Sequence, residues 1–305
     1  MSNLMVRALT AVIAGGVAVT AIILSVWGLF VCAAVISILG LLEFYRITDL
    51  KTKRGKWLML GFAGLTWVFI AMAYLFPNDS LSMRNLVMAI SSKYLMIVMV
   101  VSSAAAILML WEKQVKQPLK EAGLLFFGLL YTFFPIVLLF TMSLDMVDPR
   151  LAGEEMERIV TAGEIYDFRV VLGILFLTWA VDTFAYFGGK YLGKNKLWER
   201  ISPKKTWEGT IAGAVACLAL GFGLEQWWPQ GWSWIVVACV IAVVSQLGDL
   251  VESMYKRGLK IKDSGGILPG HGGIMDRFDG MYVTLPIVYL YLQFFQISEA
   301  WIPLL

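Results

Sequence analysis

The chain has 305 residues, of which 59% are hydrophobic and 15% are charged, and its mean hydropathy is +0.75. Soluble domains carry about 25% charged residues, so this composition excludes an ordinary soluble domain and predicts a polytopic membrane protein. The net charge of +3 is uninformative until it is mapped onto loops. The three cysteines lie inside apolar runs and provide no disulfide framework, metal cluster or redox site.

Nine apolar runs follow one another along the chain, each near the ~20 residues that cross a bilayer as a helix. Backbone groups in lipid need internal hydrogen bonds, so these runs are interpreted as helices. The predicted fold class is an all-α polytopic membrane protein with about nine transmembrane helices. The predicted spans are 8–27, 28–45, 57–76, 91–111, 122–144, 170–188, 209–227, 233–252 and 280–298.

The lysines and arginines are distributed unevenly over the loops between these spans. Twenty of the 25 lie on the side of the N-terminus. Because cytoplasmic loops are enriched in Lys and Arg, the N-terminus is predicted in the cytoplasm and the C-terminus outside. The two long polar loops, 189–208 and 253–279, are then both cytoplasmic.

Asp182 lies inside the sixth span, where a carboxylate is costly unless it faces protein, water or a cation. The following loop contains Lys194 and, just before the seventh span, Lys204 and Lys205. The N-terminus of that helix would favour an anion beside them. The segment GGKYLGKN resembles a P-loop, but Asn195 replaces the required hydroxyl and a helix precedes it. We therefore reject a P-loop.

The eighth span ends in SQLGDLVESMYKRG. If it stays helical to about residue 257, Asp249, Ser253 and Lys256 share one face, with Glu252 beside them. An acidic residue here could bind a cation or simply pair with Lys256 or Arg257 at the membrane surface. The sequence leaves both interpretations open for Asp249 alone.

The segment KDSGGILPGHGGIMDRFD at 262–279, called the glycine-rich loop below, precedes the ninth span. A helical turn there would present Asp276 and Asp279 on one side. In phosphate enzymes Mg²⁺ takes one or two carboxylates plus substrate oxygens, so a metal clamped between Asp249 and Asp276 is predicted. Cations mixed with such acids suit a polyphosphate; they are Lys256, Arg257, Lys260, Lys262 and Arg277.

Five glycines in this loop, among them Gly272 and Gly273, permit close backbone approach and an anion-binding nest. His271 is the only histidine of the chain. Three roles stay open for it, namely catalysis, phosphate binding and orientation of the loop.

Together these motifs resemble phosphatidate cytidylyltransferase, also called CDP-diacylglycerol synthase. The family pattern has Ser, Lys-Arg, Lys-Asp, Pro-x-His-Gly-Gly and Asp-Arg-x-Asp at fixed spacing, and only Tyr255 departs from it, where an aliphatic residue is usual. The matching residues are Ser253, Lys256, Arg257, Lys262, Asp263, Pro269, His271, Gly272, Gly273, Asp276, Arg277 and Asp279. The likeness covers about 178–280; before residue 170 the chain resembles the family only in being hydrophobic.

The resemblance implies a Mg²⁺-dependent reaction in which CTP and phosphatidate give CDP-diacylglycerol and pyrophosphate. A second ion, Mg²⁺ or K⁺, stays open. It also implies a homodimer in the inner cell membrane with a cytoplasmic active site, and no nucleic acid partner. Residues 170–298 would form the catalytic region, while 1–169 would anchor the protein, form a lipid cavity or dimerise.

The predicted roles follow from the motifs and the resemblance together. Metal ligands are expected among Asp182, Asp249, Asp276 and Asp279. Lys256, Arg257, Lys262, Asp263, His271 and Arg277 are expected in the catalytic centre, with the cations on the triphosphate or the leaving pyrophosphate. Substrate contacts are expected from Lys194, Lys204, Lys205, Ser253, Gly272 and Gly273, with Lys204 and Lys205 on phosphatidate.

Three other functions are alternatives. A CTP-dependent lipid kinase would need a similar cytoplasmic site but would release CDP. A CDP-alcohol phosphotransferase is disfavoured because its Asp-Gly-x-x-Ala-Arg motif is missing after Asp279. A transporter could use Asp182 and Asp249 along its pathway, but it would not explain a charged, glycine-rich loop.

Overall fold

The computed structural model describes residues 15–75, 97–145, 166–230, 232–267 and 272–301. Helices form nearly all of the regular structure there. They are α1 (Gly15–Leu24), α2 (Val26–Ile47), α3 (Lys53–Leu75), α4 (Ile97–Trp111), α5 (Pro118–Gly128), α6 (Phe134–Asp145), α7 (Phe168–Leu192), α8 (Trp207–Trp227), α9 (Trp234–Gly258) and α10 (Met275–Trp301). A π-helical segment, Leu129–Phe133, joins α5 to α6.

Six helical stretches are long and apolar enough to cross a membrane. They are Val26–Ile47, Lys53–Met72, Pro118–Leu144, Phe168–Leu192, Trp207–Trp227 and Trp234–Gly258. The all-α polytopic class is therefore confirmed. Helices α1, α4 and α10 overlap the other three predicted spans without being among these six, so nine spans, like the orientation of the termini, stay a prediction.

The chain forms two compact units. Unit one comprises Met1–Thr141, Glu157–Glu164 and Asp263–Arg277, and unit two comprises Met142–Met156, Ile165–Lys262 and Phe278–Leu305. The segment 263–277 of the glycine-rich loop thus belongs with the N-terminal helices. The assignment of catalysis to residues 170–298, and of anchoring, lipid-cavity formation or dimerisation to residues 1–169, stays a prediction.

Aromatic side chains fill the core of unit one. The ring of Trp67 on α3 meets Phe30, Phe133 and Phe140 edge-on, with centroid separations of 5.2–6.3 Å. Its indole N–H donates to Ser37 Oγ at 2.9 Å. Edge-to-face packing adds about 0.5–1.5 kcal/mol per pair beyond burial, which fixes α2 and α3 against the π-helical segment.

Small residues let the helices of unit two pack closely. A Cβ on Gly213 of α8 would lie 2.7 Å from the Val181 carbonyl oxygen, and one on Gly209 would lie 2.6 Å from that of Ala185. Helices that lack a hydrophobic driving force in lipid associate through such small-residue contacts. Helices α7, α8 and α9 pack on one another in this way.

A β-hairpin lies inside the predicted loop 189–208. Strands β1 (Lys196–Trp198) and β2 (Ser202–Thr206) pair antiparallel, with Lys196 opposite Thr206. Thr206 then caps α8, because its hydroxyl accepts from the Gly209 N–H at 3.2 Å. The expected loop is therefore a short ordered sheet. The P-loop-like GGKYL continues helix α7 to Leu192, in agreement with its rejection.

Candidate active site

The face of α9 that the sequence predicted is centred on Asp249. Ser253 Oγ donates to Asp249 Oδ1 at 3.3 Å, as their spacing of four residues requires. Lys205 from strand β2 places its Nζ 2.5 Å from Asp249 Oδ2 and 3.3 Å from the Gln246 carbonyl oxygen. Asp249 therefore pairs with Lys205, a cation that the sequence had not offered as its partner.

Two glycines bring α9 and α10 together beside this face. A Cβ on Gly248 would lie 3.0 Å from the Gly280 carbonyl oxygen, and one on Gly280 would lie 2.9 Å from that of Ser245. Each glycine immediately precedes or follows a predicted site aspartate. The close backbone contact therefore holds Asp249 and Asp279 on facing helices.

Asp279 is half-buried and lies in the electrostatic field of two further carboxylates. Both Asp249 and Asp182 act on it with like charge, and Lys256 acts on it with opposite charge. Lys256 itself pairs with the buried Glu252, with Lys256 Nζ 3.1 Å from Glu252 Oε1. Carboxylates that act on one another with like charge favour a bound cation, and this group is the best candidate for binding one among the described residues of unit two.

The hairpin that carries Lys205 is fixed at its base by Glu208. The Glu208 carboxylate accepts from the backbone N–H of Lys194 at 3.1 Å and of Asn195 at 3.2 Å. It also accepts from the side-chain amide of Asn195 at 2.8 Å. Lys194 and Lys204 are exposed, and Lys205 is half-buried. The hairpin therefore places Lys205 next to Asp249.

In unit one, Asp276 organises the described part of the glycine-rich loop. Its Oδ2 accepts from Ser264 N at 2.8 Å, Ser264 Oγ at 3.0 Å and Gly273 N at 2.8 Å. Gly272 has φ +83°, a conformation that L side chains rarely adopt, and a Cβ there would lie 2.7 Å from Asp276 Oδ2. The glycine and the aspartate therefore determine the loop conformation together.

A buried glutamate from helix α2 reaches the same loop. Glu43 is 3% exposed, and its Oε2 accepts from Met275 N at 2.9 Å and from Ser264 Oγ at 3.3 Å. Met275 begins α10, so this carboxylate lies at the positive end of the helix, where it is favourable. The geometry thus adds an acidic residue that lies more than 200 positions away in sequence.

Comparison with known proteins identifies the family of the chain. The model of the Cytidylyltransferase family matches residues 5–295, nearly the whole chain. The chain belongs to that family. It is therefore a nucleotidyltransferase enzyme.

The chain is also similar to individual members of the family. A protein of Brucella abortus named phosphatidate cytidylyltransferase is 31% identical over 294 residues, which cover 95% of this chain and 94% of the relative. Proteins of the same name from Bacillus subtilis and Rickettsia bellii are 48% and 45% identical over 120 and 122 residues. Those matches cover 38% and 37% of this chain, and 45% and 53% of the relatives.

The other predicted site residues of this cytidylyltransferase-family chain are placed as follows. Arg257, Lys262, Asp263 and Arg277 are exposed, and Arg257 Nη1 donates to the Ile261 carbonyl oxygen at 3.2 Å. His271 lies outside the described residues, and its role stays a prediction. The roles predicted for all these residues likewise stay predictions.

Two residues escaped the sequence analysis, Glu43 and Glu208. Glu208 lies in the segment SPKKTWEG at 202–209, and a glutamate one residue after a helix start is a recognisable capping signal. For Glu43 the signal was weaker. A carboxylate inside a long apolar run is costly, and that cost was the only indication in the sequence.

The carboxylates of unit two fit a divalent cation. Among the described residues, no group of three or more His, Cys, Asp or Glu side chains is arranged to hold a metal ion. Mg²⁺ usually takes one or two carboxylates and completes its shell with water and substrate oxygens. Asp249 and Asp279, hard oxygen donors on facing helices, are a donor set of that size.

Proposed function

We propose that the chain is a phosphatidate cytidylyltransferase, which converts CTP and phosphatidate to CDP-diacylglycerol and pyrophosphate in phospholipid biosynthesis. The observation that carries the proposal is the pairing of Lys205 with Asp249 beside Asp279 in unit two. This arrangement combines a candidate metal-binding carboxylate pair with a cation that suits a phosphate. Family membership and the names of the relatives support the same reaction.

The reaction depends on the positioning of the two substrates more than on proton transfer. A phosphate oxygen of phosphatidate attacks the α-phosphorus of CTP, and the bond from that phosphorus to the bridging oxygen breaks to release pyrophosphate. A phosphomonoester has its second pKa near ~6, so the nucleophile is already mostly dianionic at neutral pH. No strong general base is required, and His271 is assigned to phosphate binding or loop orientation.

Mg²⁺, when bound, would neutralise the phosphates and stabilise the charge that develops on the leaving group. We assign Asp249 and Asp279 to its binding in unit two. Asp182, which acts on Asp279 through its charge, would raise the local affinity for cations. The metal role of Asp276 and the presence of a second ion, Mg²⁺ or K⁺, remain predictions of the sequence.

The cations divide between the two substrates. Lys204 and Lys205 follow one another on strand β2, just before α8, and we assign them to the phosphatidate phosphate. The pairing of Lys205 with Asp249 is compatible with this, because it places that ammonium next to the site of metal binding. Lys256, Arg257, Lys262 and Arg277 are assigned to the triphosphate, while Ser253 and Lys194 are further candidate substrate contacts.

Six candidate spans support a membrane protein, and bacterial relatives support the inner cell membrane. The cytoplasmic orientation of the site, its contact with the bilayer and a homodimer are part of this proposal. Oligomeric state in detergent, measured by light scattering, tests the homodimer directly.

The deciding experiment gives the purified protein labelled CTP, phosphatidate and Mg²⁺, and measures pyrophosphate and CDP-lipid together. Equal formation of both supports the proposal. Release of CDP with a phosphorylated lipid would instead show a lipid kinase. Formation of neither pyrophosphate nor CDP-lipid would refute the assignment. The variant Asp249→Asn, which preserves side-chain shape, is the matched negative control.

A further inference from the structure

Glu43 is a buried carboxylate that the mechanism above does not use. It lies on α2 and is 3% exposed, and its Oε1 has no hydrogen-bond partner among the described residues. Burying an ionised carboxylate costs several kcal/mol unless it is well compensated. We therefore expect a buried carboxylate inside an apolar helix to have a specific role that offsets this cost.

Among the described residues, the side-chain hydrogen bonds of Glu43 run to the glycine-rich loop. Its Oε2 accepts from Met275 N and Ser264 Oγ. A Cβ on Gly265 or Gly273 would collide with its carboxylate. The two glycines are therefore needed to let the backbone approach the side chain, and the loop is shaped around it.

Ser264 links Glu43 to Asp276. Its hydroxyl lies 3.3 Å from Glu43 Oε2 and 3.0 Å from Asp276 Oδ2, and its backbone N–H donates to the same Asp276 oxygen at 2.8 Å. Met275, whose N–H is held by Glu43, directly precedes Asp276. Glu43 thus constrains the neighbourhood of Asp276 from two directions.

We infer that Glu43 is a positioning residue for Asp276: it anchors the start of α10 and Ser264, and thereby fixes the orientation of the Asp276 carboxylate. The inference rests on the proposed function for its catalytic consequence. The anchoring itself depends only on contacts within unit one.

The test compares Glu43→Ala and Glu43→Gln with the control Glu121→Gln. Glu121 is also buried in unit one, at 7% exposed, and accepts from the backbone N–H of Lys51 at 3.0 Å and Thr52 at 2.7 Å. It therefore supports a different turn by the same kind of hydrogen bond. Its replacement reproduces the loss of a buried charge without touching the glycine-rich loop.

Two readouts are measured on the full-length protein in detergent. Hydrogen exchange of the peptide 263–277 is expected to rise in Glu43→Ala and, to a smaller extent, in Glu43→Gln, whose amide oxygen still accepts from Met275. The kcat is expected to fall by roughly ten- to a hundredfold in Glu43→Ala, since misplacement of a reacting group by about 1 Å costs that much. The Mg²⁺ concentration required for half-maximal activity should rise in the same variant.

Glu121→Gln is expected to increase exchange near 49–54 and to leave the 263–277 peptide and the Mg²⁺ requirement unchanged. Wild-type exchange at 263–277 in both Glu43 variants would overturn the inference. An equal fall in kcat for Glu121→Gln would also overturn it, because the effect would then be general loss of stability. If Glu43→Ala does not fold, Glu43→Gln decides by the same readouts.

Failure of the proposed function is distinguishable from failure of this inference. If the wild-type protein forms no CDP-diacylglycerol, the proposed function falls, while hydrogen exchange still shows whether Glu43 anchors the loop. If the wild type is active and neither exchange nor Mg²⁺ requirement changes in the variants, only the positioning role falls.

Discussion

Lys205 Nζ lies 2.5 Å from Asp249 Oδ2, so a lysine from the hairpin pairs with a carboxylate near the end of α9. The two side chains are 23% and 31% exposed. Exposed ion pairs contribute only about 0–1 kcal/mol, and the partial burial of this one favours a stronger interaction. The pair joins a strand of the hairpin to a helix that the sequence could only place on the same side of the membrane.

Removal of the Lys205 charge should weaken the use of phosphatidate more than the use of CTP. We expect Lys205→Ala to raise the KM for phosphatidate by about tenfold, the effect of losing roughly 1.4 kcal/mol of binding, with a smaller change in the KM for CTP. Steady-state kinetics in mixed micelles measures both. The control is Arg200→Ala in the exposed hairpin turn. A change confined to CTP would reassign Lys205 to the triphosphate.

Asp276→Asn should abolish turnover while leaving the protein folded. The Asn oxygen can still accept from Ser264 and Gly273, so the loop is retained, but the negative charge for a cation is lost. We expect kcat to fall at least ~100-fold, with unchanged yield from membranes and an unchanged elution volume. Asp49→Asn, at an exposed residue that pairs with Lys51, is the control. Near-normal activity of Asp276→Asn would exclude its role in metal binding.

Gly280→Ala should separate α9 from α10. Its Cβ would lie 2.9 Å from the Ser245 carbonyl oxygen, so the backbone must shift. Such overpacking costs about 1–3 kcal/mol, and the midpoint of thermal unfolding in detergent should fall together with activity. A Cβ on Gly61 of α3 meets nothing within 4 Å, and Gly61→Ala should preserve both. Equal midpoints for the two variants would contradict the close contact.

Glu208→Ala should loosen the base of the hairpin. It removes the acceptor for the backbone N–H groups of Lys194 and Asn195, each hydrogen bond being worth about 0.5–1.5 kcal/mol. We expect trypsin to cleave after Lys194 several-fold faster, and phosphatidate use to weaken. Glu199→Ala in the exposed turn should leave the cleavage rate unchanged. Identical digestion of both variants would remove Glu208 from this role.

Local patterns predicted two arrangements within the candidate site. The spacing of Asp249 and Ser253 placed both on one helical face, and the structure puts them in hydrogen-bond contact. The start of α10 at Met275 puts Asp276 and Asp279 on one helix, as expected. The pairing partners were not predictable: the sequence offered Lys256 or Arg257 for Asp249, whereas the structure pairs it with Lys205. Such a choice depends on distances in the folded chain.

The hairpin at 196–206 was also missed. The strands KLW and SPKKT are too short to show a hydrophobic period from which a strand can be recognised. Their pairing depends on contacts such as the one between Lys196 Nζ and the Pro203 carbonyl oxygen, 2.7 Å apart, and on the anchoring by Glu208. The two ends of this segment adjoin α7 and α8, so the anchoring by Glu208 depends on the packing of those helices.

By itself the sequence determined that this is a helical membrane protein, and its motifs at fixed spacing indicated the enzyme family. Both conclusions depend on quantities that are local in the chain: the length of apolar runs and the order of charged residues. Only the tertiary structure decided that Lys205 pairs with Asp249 and that Glu43 holds Ser264 and Met275. The physical reason is that a buried charge is stabilised by whatever lies within a few ångströms of it, and those neighbours come from distant parts of the chain.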